Sequence, residues 1–441
     1  MSATFISEIE NALGSNSEPS LMVKEVNQAE LPSCFAVTNL AVASLRSAAV
    51  ELAALTNARQ IQIDRRLTAL WFDMTLRPQG WTLPAAWDAI AGVYRCSDGW
   101  IRLHTNASHH RAAALRILDC EAEKVRVTTA VSHWRKTDLE TAIINENGAA
   151  AAMHSMAEWA KHPQGRAVAA EPLISWTDEG DCNSPVRLRE LRVLDLTRVL
   201  AGPVATRFLA GFGAQVLRID PPWWSEPGVE PEVTLGKRRA GLDLTQSHDR
   251  QVFGTLLAQA DVLVHGYRPG ALSGLGYDPA TVRKLAPHLI DISLCAYGWQ
   301  GPWAERRGFD SLVQMSCGIA AEGMRQMEAD HPIPLPVQAL DHATGYLMAA
   351  TVLRAVRTRN EFGKIRSARL SLARTAALLT AGGSHDLCGE PVVETSYDVE
   401  PFLEKTDWGP AHRLRFPVQL DGSGPNWMLS AGKLRVNDPT W

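Results

Sequence analysis

The second half of the sequence alternates short apolar runs with segments of helical character, and this alternation most limits the folds open to the chain. The runs are LRVLDLT (191–197), AQVLRID (214–220), ADVLVHGY (260–267) and LIDISLCAYG (289–298). Continuous apolar runs are typical of parallel strands covered on both faces. Strands separated by helices require right-handed crossover connections. The sequence therefore predicts an α/β fold over residues 190–396, with a Rossmann-like parallel sheet and flanking helices.

The remaining segments predict smaller units around this sheet, including a smaller α+β domain. YRCSDGWIRLH (94–104) predicts two short strands around a turn. The predicted order is a flexible lead (1–34), a helix–strand–helix unit (35–75), the small α+β domain (76–175), a linker (176–189), the Rossmann-like domain (190–396) and a C-terminal extension (397–441).

An internal repeat links the two ends of the chain. Residues 340–359 align without gaps to residues 38–57, and each copy leads into a predicted strand and helix. The matches are Ala343/Ala41, Leu347/Leu45, Ala350/Ala48, Val352/Val50, Ala355/Ala53 and Thr358/Thr56. In this alignment Asp341 falls opposite Asn39, so only one copy carries a carboxylate there.

The composition narrows the classes of partner and compartment. The chain has 441 residues, 46% of them hydrophobic, and a net charge of −4, which gives no bulk reason to expect nucleic acid or an anionic membrane as partner. No apolar run approaches the roughly 18 residues of a membrane span, and the first residues lack a secretory signal pattern. Seven scattered cysteines without a CxxC pair predict neither disulfides nor a metal site. We expect a cytoplasmic protein.

Asp341 raises a question, because it is one carboxylate in the apolar segment PVQALDHATGYLMAA (336–350). One interpretation is a helix cap, since an N-cap Asp accepts a backbone N–H of the first turn. The other is a catalytic carboxylate. The segment alone leaves both open.

Three turn-rich segments follow predicted strands, where open α/β sheets bind ligands. RVLAGPVATR lacks the GxGxxG fingerprint, which makes a nicotinamide enzyme unlikely; its Ala201 and Gly202 allow a ligand to approach the backbone, or simply form a tight turn. HGYRPG places Arg268 where a guanidinium can hold phosphate. YGWQGPWAERRGFD contains Arg307 and Asp310.

Structural roles are open alternatives for several of these side chains. Tyr267 could be an ordinary core residue, and Arg307 a solvated surface charge. His109 and His110 lack the spacing of metal ligands, so we expect surface histidines.

Taken in order, four segments resemble the family III CoA-transferases, which include formyl-CoA and carnitine CoA-transferases and alpha-methylacyl-CoA racemase. They are LRVLDLTRVLAGPVATRFLAGFGAQVLRIDPP, GKRRAGLDL, ADVLVHGYRPGALSGLGYDP and YGWQGPWAERRGFD. The resemblance covers residues 190–380, and residues 94–104 resemble the family's small domain. That domain normally follows the Rossmann-like half, so this order implies a truncated tandem or a permuted protomer.

The resemblance implies roles for individual residues. Asp341 matches the nucleophile that attacks an acyl-CoA thioester, forming an aspartyl anhydride and then an aspartyl-CoA thioester; at a helix N-terminus it is expected to stay ionised. The other implied positions are Leu200 and Ala201 on the pantetheine arm, Gly266, Tyr267 and Arg268 at the nucleotide end of CoA, Arg307 at a phosphate or the thioester, and Asp310 as an acidic neighbour of the nucleophile.

The implied function is CoA transfer between an acyl-CoA and a carboxylic acid. Coenzyme A is then a substrate, with no permanently bound cofactor and no metal. Family members usually form interlocked dimers, so the resemblance leaves two alternatives for this chain, a homodimer or a chain that stands alone. One alternative is an acyl-CoA racemase or isomerase, but those enzymes use a His in a GHD motif where this chain has Phe309, which cannot transfer a proton. The other alternative is a non-catalytic CoA-binding partner subunit.

Overall fold

The structure is a computed structural model, which describes residues 2–14, 21–182, 184–386, 389 and 392–441. Its strands are β1 Met22–Val26, β2 Gln60–Asp64, β3 Leu76–Pro78, β4 Gly92–Cys96, β5 Gly99–Leu103, β6 Ala150–Ala152, β7 Ser175–Asp181, β8 Arg192–Leu196, β9 Gln215–Asp220, β10 Arg238–Gly241, β11 Val262–His265, β12 Ile290–Cys295, β13 Lys364–Ser371, β14 Glu404–Thr406, β15 Gly409–Arg413 and β16 Val418–Leu420. Its helices are α1 Ser2–Leu13, α2 Val37–Thr56, α3 Arg65–Trp71, α4 Ser108–Leu118, α5 Lys124–Ser132, α6 Lys136–Asn145, α7 Met156–Lys161, α8 Pro163–Ala170, α9 Ala201–Gly211, α10 Glu230–Val233, α11 Ser247–Gln259, α12 Ala271–Gly274, α13 Pro279–Leu285, α14 Asp310–Ser316, α15 Ile319–Gln326, α16 Ala339–Phe362 and α17 Leu372–Ala381.

The largest sheet has seven strands in the order β10-β9-β8-β11-β12-β13-β7. Its first six strands pair in parallel. The chain runs outward from β8 to β10 and then starts again at β11 on the other side of β8, so the strand order reverses between β8 and β11. This topology confirms the predicted Rossmann-like α/β fold. The carboxyl ends of the strands at such a reversal form a crevice suited to a ligand.

The central strands are apolar on both sides because two separate cores cover the two faces of the sheet. Along β8, Val193 belongs to the core that includes α9 and α16, whereas Leu194 belongs to the core that includes α11 and α13. Along β11, Val264 and Leu263 divide in the same way. The continuous apolar runs in the sequence reflect this double burial.

Strand β7 corrects the prediction of a linker over residues 176–189. It forms the outer strand of the seven-stranded sheet and pairs antiparallel with β13, from Ser175 opposite Arg369 to Asp181 opposite Lys364. An outer strand needs only backbone hydrogen bonds and tolerates charged side chains, so SWTDEGD lacks the apolar pattern of a strand. The 3₁₀ turn Leu188–Glu190 follows before β8, and position 183 lies outside the described residues.

The segment predicted as a small α+β domain contains the three-stranded sheet β4-β5-β6. Its first two strands form the predicted hairpin around Ser97 and Asp98. Leu118, Val127 and Leu139 bring α4, α5 and α6 onto a shared apolar core with this sheet. The boundaries of this unit as an independent domain stay a prediction.

The N-terminal segment differs from the flexible lead predicted for residues 1–34. Helix α1 buries Phe5, Ile9 and Leu13 in the main core and packs against α2. Strand β1 pairs in parallel with β2. The apolar positions of α1 recur every four residues, which gives this otherwise polar segment one face for docking. Residues 15–20 lie outside the described residues.

The two copies of the internal repeat adopt the same order of elements, which are α2, β2 and α3 in the first copy and α16, β13 and α17 in the second. Helices α2 and α16 pack against each other, and Arg357 forms an ion pair with Glu51 at 2.9 Å across this contact. Strand β2 lies between a parallel β1 and an antiparallel β16. Strand β13 likewise lies between a parallel β12 and an antiparallel β7. The small sheet β1-β2-β16 thus repeats one end of the large sheet.

The C-terminal extension contributes strands to the first half of the chain. Strand β15 pairs with β14 and β3, and β16 pairs with β2. A buried carboxylate fixes this arrangement: Glu232 binds Arg207 and lies 3.3 Å from Arg413, and it accepts the backbone N–H of Thr75 at 3.0 Å. The Glu232 side chain, which belongs to α10, therefore connects helix α9, the segment after α3 and the C-terminal extension.

Candidate active site

A cavity of about 430 Å³ opens at the carboxyl ends of β8, β11 and β12, where the strand order reverses. Six of the eight residues predicted for the site line it, namely Ala201, Gly266, Tyr267, Arg268, Arg307 and Asp341. The remaining two are placed behind its wall. Leu200 is 8% exposed and packs into the main core, and Asp310 lies under Asp341.

Asp341 is the third residue of α16 and is 7% exposed. The N-cap of this helix is Gln338, whose side chain makes no capping bond. Within the described residues, no hydrogen bond or ion pair reaches the Asp341 carboxyl group. A capping Asp would accept a backbone N–H of the first turn, so the structure does not place Asp341 in that role. The carboxyl group is buried at a cavity without a protein partner.

Asp310 begins α14, and its side chain is bound directly to the backbone of Asp341. Its Oδ2 atom accepts the Asp341 N–H at 2.9 Å, and its Oδ1 atom accepts a bond from the Gln314 amide. The first turn of α16 is thereby fixed to α14 through a carboxylate that is itself fully buried. The two acidic residues form an adjacent pair with different surroundings.

The electrostatics of this pair correct the expectation that the helix N-terminus keeps Asp341 ionised. Burial raises the pKa of Asp341 well above its ordinary value, and the negative charge of Asp310 raises it further. Burial also raises the pKa of Asp310, to about 6, although the Asp341 N–H and the Gln314 amide favour its ionised form. The loss of hydration therefore outweighs the helix dipole at Asp341.

One wall of the cavity is basic. Arg198, Arg268, Arg306 and Arg307 line it, and Asp341 is the carboxylate among its lining residues. Arg307 donates to the Asn147 carbonyl at 3.0 Å and Arg268 to the Glu305 carbonyl at 3.3 Å, both neutral acceptors. Guanidinium groups held by neutral acceptors keep their full charge for an anion. This wall has the charge expected for binding phosphate groups.

Aromatic side chains that the sequence analysis did not single out form a further wall. The Arg198 guanidinium lies over the ring of Trp224 at 4.6 Å and near that of Tyr267 at 5.7 Å. Trp223, at the rim, is 65% exposed. The two tryptophans follow β9 in a Pro-rich loop, and the signal for them was a WW pair beside a predicted strand end.

The small unit also contributes to the cavity, through His109 and His110. The prediction of two surface histidines is wrong for His110, which is 3% exposed and packs edge-on to Phe309. Burial lowers the pKa of His110 to about 3, so the ring is neutral near pH 7. Phe309 itself stacks on His104, with ring centres 3.7 Å apart. No local motif could reveal these contacts, because they join segments far apart in sequence.

The turn between β8 and α9 is tight, as RVLAGPVATR predicted. A side chain at Gly202 would place its Cβ atom 2.3 Å from the Thr197 methyl group. The missing side chain therefore permits close packing within the turn, while Ala201 and Gly202 still line the cavity. The neighbouring Val199 has a left-handed backbone, with φ of 65°.

Among the described residues, no group of three or more His, Cys, Asp or Glu side chains is arranged to hold a metal ion. In the same part of the chain, every helix is too short or too polar to cross a membrane.

Comparison with known proteins agrees with the geometry of the cavity. Residues 188–395 match the family model for CoA-transferase family III. The chain is 30% identical over 260 residues to succinyl-CoA:glutarate CoA-transferase of Mus musculus, covering 55% of this chain and 56% of the relative. It is 35% identical over 201 residues to acetyl-coenzyme A transferase nodX of Hypoxylon pulicicidum, covering 44% of this chain and 34% of the relative.

Solved structures give partial matches. The crystal structure of Rv3272 from Mycobacterium tuberculosis has 28% identity and a TM-score of 0.39, covering 46% of this chain and 59% of that one. A CAIB/BAIF family protein from Brucella suis has 24% identity and a TM-score of 0.39, covering 52% of this chain and 65% of that one. The chain spans about a third to just over half of the length of the curated relatives named above. Residues 188–395, just under half of the chain, are therefore similar to CoA-transferase family III.

Proposed function

We propose that this chain transfers CoA from an acyl-CoA thioester to a carboxylic acid, with Asp341 as nucleophile. The observation that carries the proposal is the Asp341 carboxyl group, buried at the cavity and without a hydrogen-bond partner among the described residues. A carboxylate that is neither hydrated nor bound by the protein is more reactive than one in water. The match of residues 188–395 to the CoA-transferase family III model supports the same reaction class.

The proposed reaction has four balanced steps. The Asp341 carboxylate attacks the thioester carbonyl and expels CoA thiolate, which leaves an acyl-aspartyl anhydride. The thiolate attacks the aspartyl carbonyl and releases the donor acid, which leaves an aspartyl-CoA thioester. An acceptor carboxylate attacks this thioester and expels the thiolate again. The thiolate finally attacks the acceptor carbonyl, which yields the new acyl-CoA and regenerates Asp341.

The proton on Asp341 sets a requirement for the first step. Burial and the Asp310 charge raise the pKa of Asp341, which lowers the ionised fraction of the group at a given pH, and only the ionised carboxylate attacks. A carboxylate with a raised pKa is also a stronger nucleophile, because basicity and nucleophilicity rise together. The reactivity of Asp341 should therefore depend on pH, because its raised pKa determines how much of it is ionised.

The basic and aromatic walls support binding of CoA. In this proposal Arg268 and Arg307 contact its phosphates, Gly266 and Tyr267 adjoin its nucleotide end, and Ala201 lines the pantetheine arm. CoA phosphates carry several negative charges, which Arg198, Arg268 and Arg307 can balance. The fourth lining arginine, Arg306, is already paired with Glu140 at 2.6 Å. Leu200 has no role in the proposed binding of CoA, since it packs into the core.

The racemase alternative receives no support from the cavity. Phe309 lines it at the position where those enzymes carry a His, and a phenyl ring transfers no proton. The non-catalytic alternative predicts CoA binding without turnover, so one experiment separates it from transfer.

That experiment follows oxygen atoms. Acetyl-CoA and succinyl-CoA serve as donors, and oxalate and glutarate labelled with heavy oxygen serve as acceptors. This choice follows the names of two similar proteins, the succinyl-CoA:glutarate CoA-transferase of Mus musculus and the acetyl-CoA:oxalate CoA-transferase of Acetobacter aceti. The four steps move one acceptor oxygen onto the Asp341 carboxyl group and, in the next turnover, into the released donor acid. Mass spectrometry should find the label in the peptide that contains Asp341.

Two variants sharpen the result. Asp341→Asn should bind CoA and lose turnover by about four orders of magnitude or more, as for other lost nucleophiles. Asp330→Asn, which changes an exposed carboxylate, should retain full activity. Label on another carboxylate, or substantial activity in Asp341→Asn, would contradict the assignment; CoA binding without any transfer by the parent protein would support the non-catalytic alternative.

A further inference from the structure

Val199 has the least favourable backbone among the non-glycine residues that the structure describes. Eight of them have positive φ angles, and Val199, at 65°, is the β-branched one in that group. Branching at Cβ crowds the left-handed conformation, which Asn and Asp tolerate far better. Val199 lines the cavity in the turn between β8 and α9. Such a strained residue persists where its surroundings hold it in place.

Glu226 is the group that holds it. Its Oε2 atom accepts the Val199 N–H at 2.8 Å and the indole N–H of Trp224 at 2.9 Å. Its Oε1 atom binds Arg218, whose side chain is fully buried and also pairs with Asp220 at 2.8 Å. The Glu226 side chain is 7% exposed and does not line the cavity. One carboxylate therefore fixes two cavity-wall residues from separate loops.

The two fixed residues carry the aromatic and basic walls. The Arg198 guanidinium lies over the Trp224 ring at 4.6 Å, and the Tyr267 ring is its second aromatic neighbour, at 5.7 Å. Val199 stands between Arg198 and the start of α9, so its backbone sets the direction in which Arg198 leaves the turn. Movement of either residue would displace Arg198.

We propose that Glu226, anchored by Arg218, is a positioning residue that holds Val199 and Trp224 in the arrangement that binds the acyl-CoA substrate. Glu226 contacts no ligand; it acts through the turn after β8 and through the indole ring. The identity of the ligand as an acyl-CoA rests on the proposed function, whereas the restraint that Glu226 places on the turn can be tested without any ligand.

The variant Glu226→Gln tests the restraint with almost no change in shape. Among the described residues, the three hydrogen-bond partners of the carboxylate are all donors, so an amide NH₂ group would face either Arg218 or the Val199 and Trp224 N–H groups. Hydrogen exchange measured by mass spectrometry on the free protein should become faster in the peptide containing residues 197–201. Calorimetry should show CoA binding weakened by about ten- to a hundredfold, the range expected when a buried donor loses its charged acceptor.

A rescue variant separates positioning from general loss of structure. Glycine adopts φ near 65° without strain, so Val199→Gly combined with Glu226→Gln should recover most of the lost affinity. Glu328→Gly, which relieves another left-handed residue at an exposed position outside the cavity wall, should leave affinity unchanged and give no rescue. If Glu226→Gln fails to fold, Trp224→Phe removes one of the two donors and should weaken CoA binding about threefold or more.

The outcomes distinguish the two proposals. Unchanged exchange in residues 197–201 would refute the restraint, and faster exchange with unchanged CoA affinity would refute its role in binding. Absence of rescue by the glycine variant would refute the action of Glu226 through the strained backbone of Val199. If the parent protein binds no CoA, the proposed function and this choice of ligand both fail, while the exchange result still decides whether Glu226 holds the turn.

Discussion

Gly345 lies at a close approach between α16, which carries Asp341, and α9, which begins at the cavity wall. A Cβ atom added there would lie 2.4 Å from the Ala201 carbonyl oxygen and 2.8 Å from Val204 Cβ. Ordinary carbon–oxygen contacts are about 3.3 Å or longer. Gly345→Ala should therefore force the two helices apart by about 1 Å at this crossing, one turn from Asp341.

The change should affect activity more than stability. Replacing glycine by alanine inside a helix stabilises the folded state by about 1 kcal/mol. Overpacking, in contrast, typically lowers the free energy of unfolding by about 1–3 kcal/mol. The net free energy of unfolding should fall by roughly 0–2 kcal/mol. A 1 Å misplacement of the nucleophile should lower kcat/KM by about a hundredfold. Initial rates of CoA transfer and thermal unfolding followed by circular dichroism measure the two effects.

Gly254→Ala is the matched control, because it makes the same change within helix α11. The nearest atom to its new Cβ would be the Tyr277 hydroxyl at 3.3 Å, the end of a side chain, and Gly254 lies outside the cavity wall. This variant should be slightly more stable and fully active. A folded Gly345→Ala protein with the kcat/KM of the parent would refute the argument that this crossing sets the position of Asp341.

Three further predictions concern buried charges. Asp310→Asn removes a charge that raises the pKa of Asp341, so the acidic limb of the kcat/KM–pH profile should move to lower pH; a shift to higher pH would contradict the pairing. Burial raises the pKa of Glu232, but neighbouring arginines outweigh it and lower the pKa from 4.5 to about 2, so its stabilisation is present above 4.5 and lost as the pH falls toward 2. Glu232→Gln should therefore lower the free energy of unfolding by about 3 kcal/mol at neutral pH, and denaturant titrations should show this difference vanishing near the lower pH. Asn39 accepts a bond from Arg65 at 2.9 Å, so Asn39→Asp should gain an ion pair but no activity, and the double variant with Asp341→Asn should stay inactive in transfer assays.

The parallel strands of the large sheet could be predicted because each of the central strands is covered on both faces. That burial leaves a continuous apolar run such as RVLDL, which stands out against the amphipathic helices on either side. Strand β7 could not be recognised in this way. It lies at the edge of the sheet, where backbone pairing with β13 suffices and the side chains stay polar.

A site residue could be predicted where its own segment of the chain also determines its place in the fold. Arg268 follows β11 directly, so its place at the carboxyl end of the sheet was foreseeable from the strand. His110 reaches the cavity from the small unit, which depends on how two distant parts of the chain pack. The raised pKa of Asp341 also depends on burial and on Asp310, which the sequence places about thirty residues away.

The pairing of α2 with α16 has a consequence for how the two copies diverge. In a two-fold dimer of identical chains, each contact across the axis occurs twice, and a substitution changes both. Here Glu51 meets Arg357, while the alignment places Leu353 opposite Glu51 and Leu55 opposite Arg357. The positions equivalent to this pair, Leu353 and Leu55, are both leucine, so the opposite charges occur once and not twice. Joining the copies in one chain lets each copy accumulate its own substitutions, so the helix that carries Asp341 and the helix that carries Asn39 evolve under separate selection.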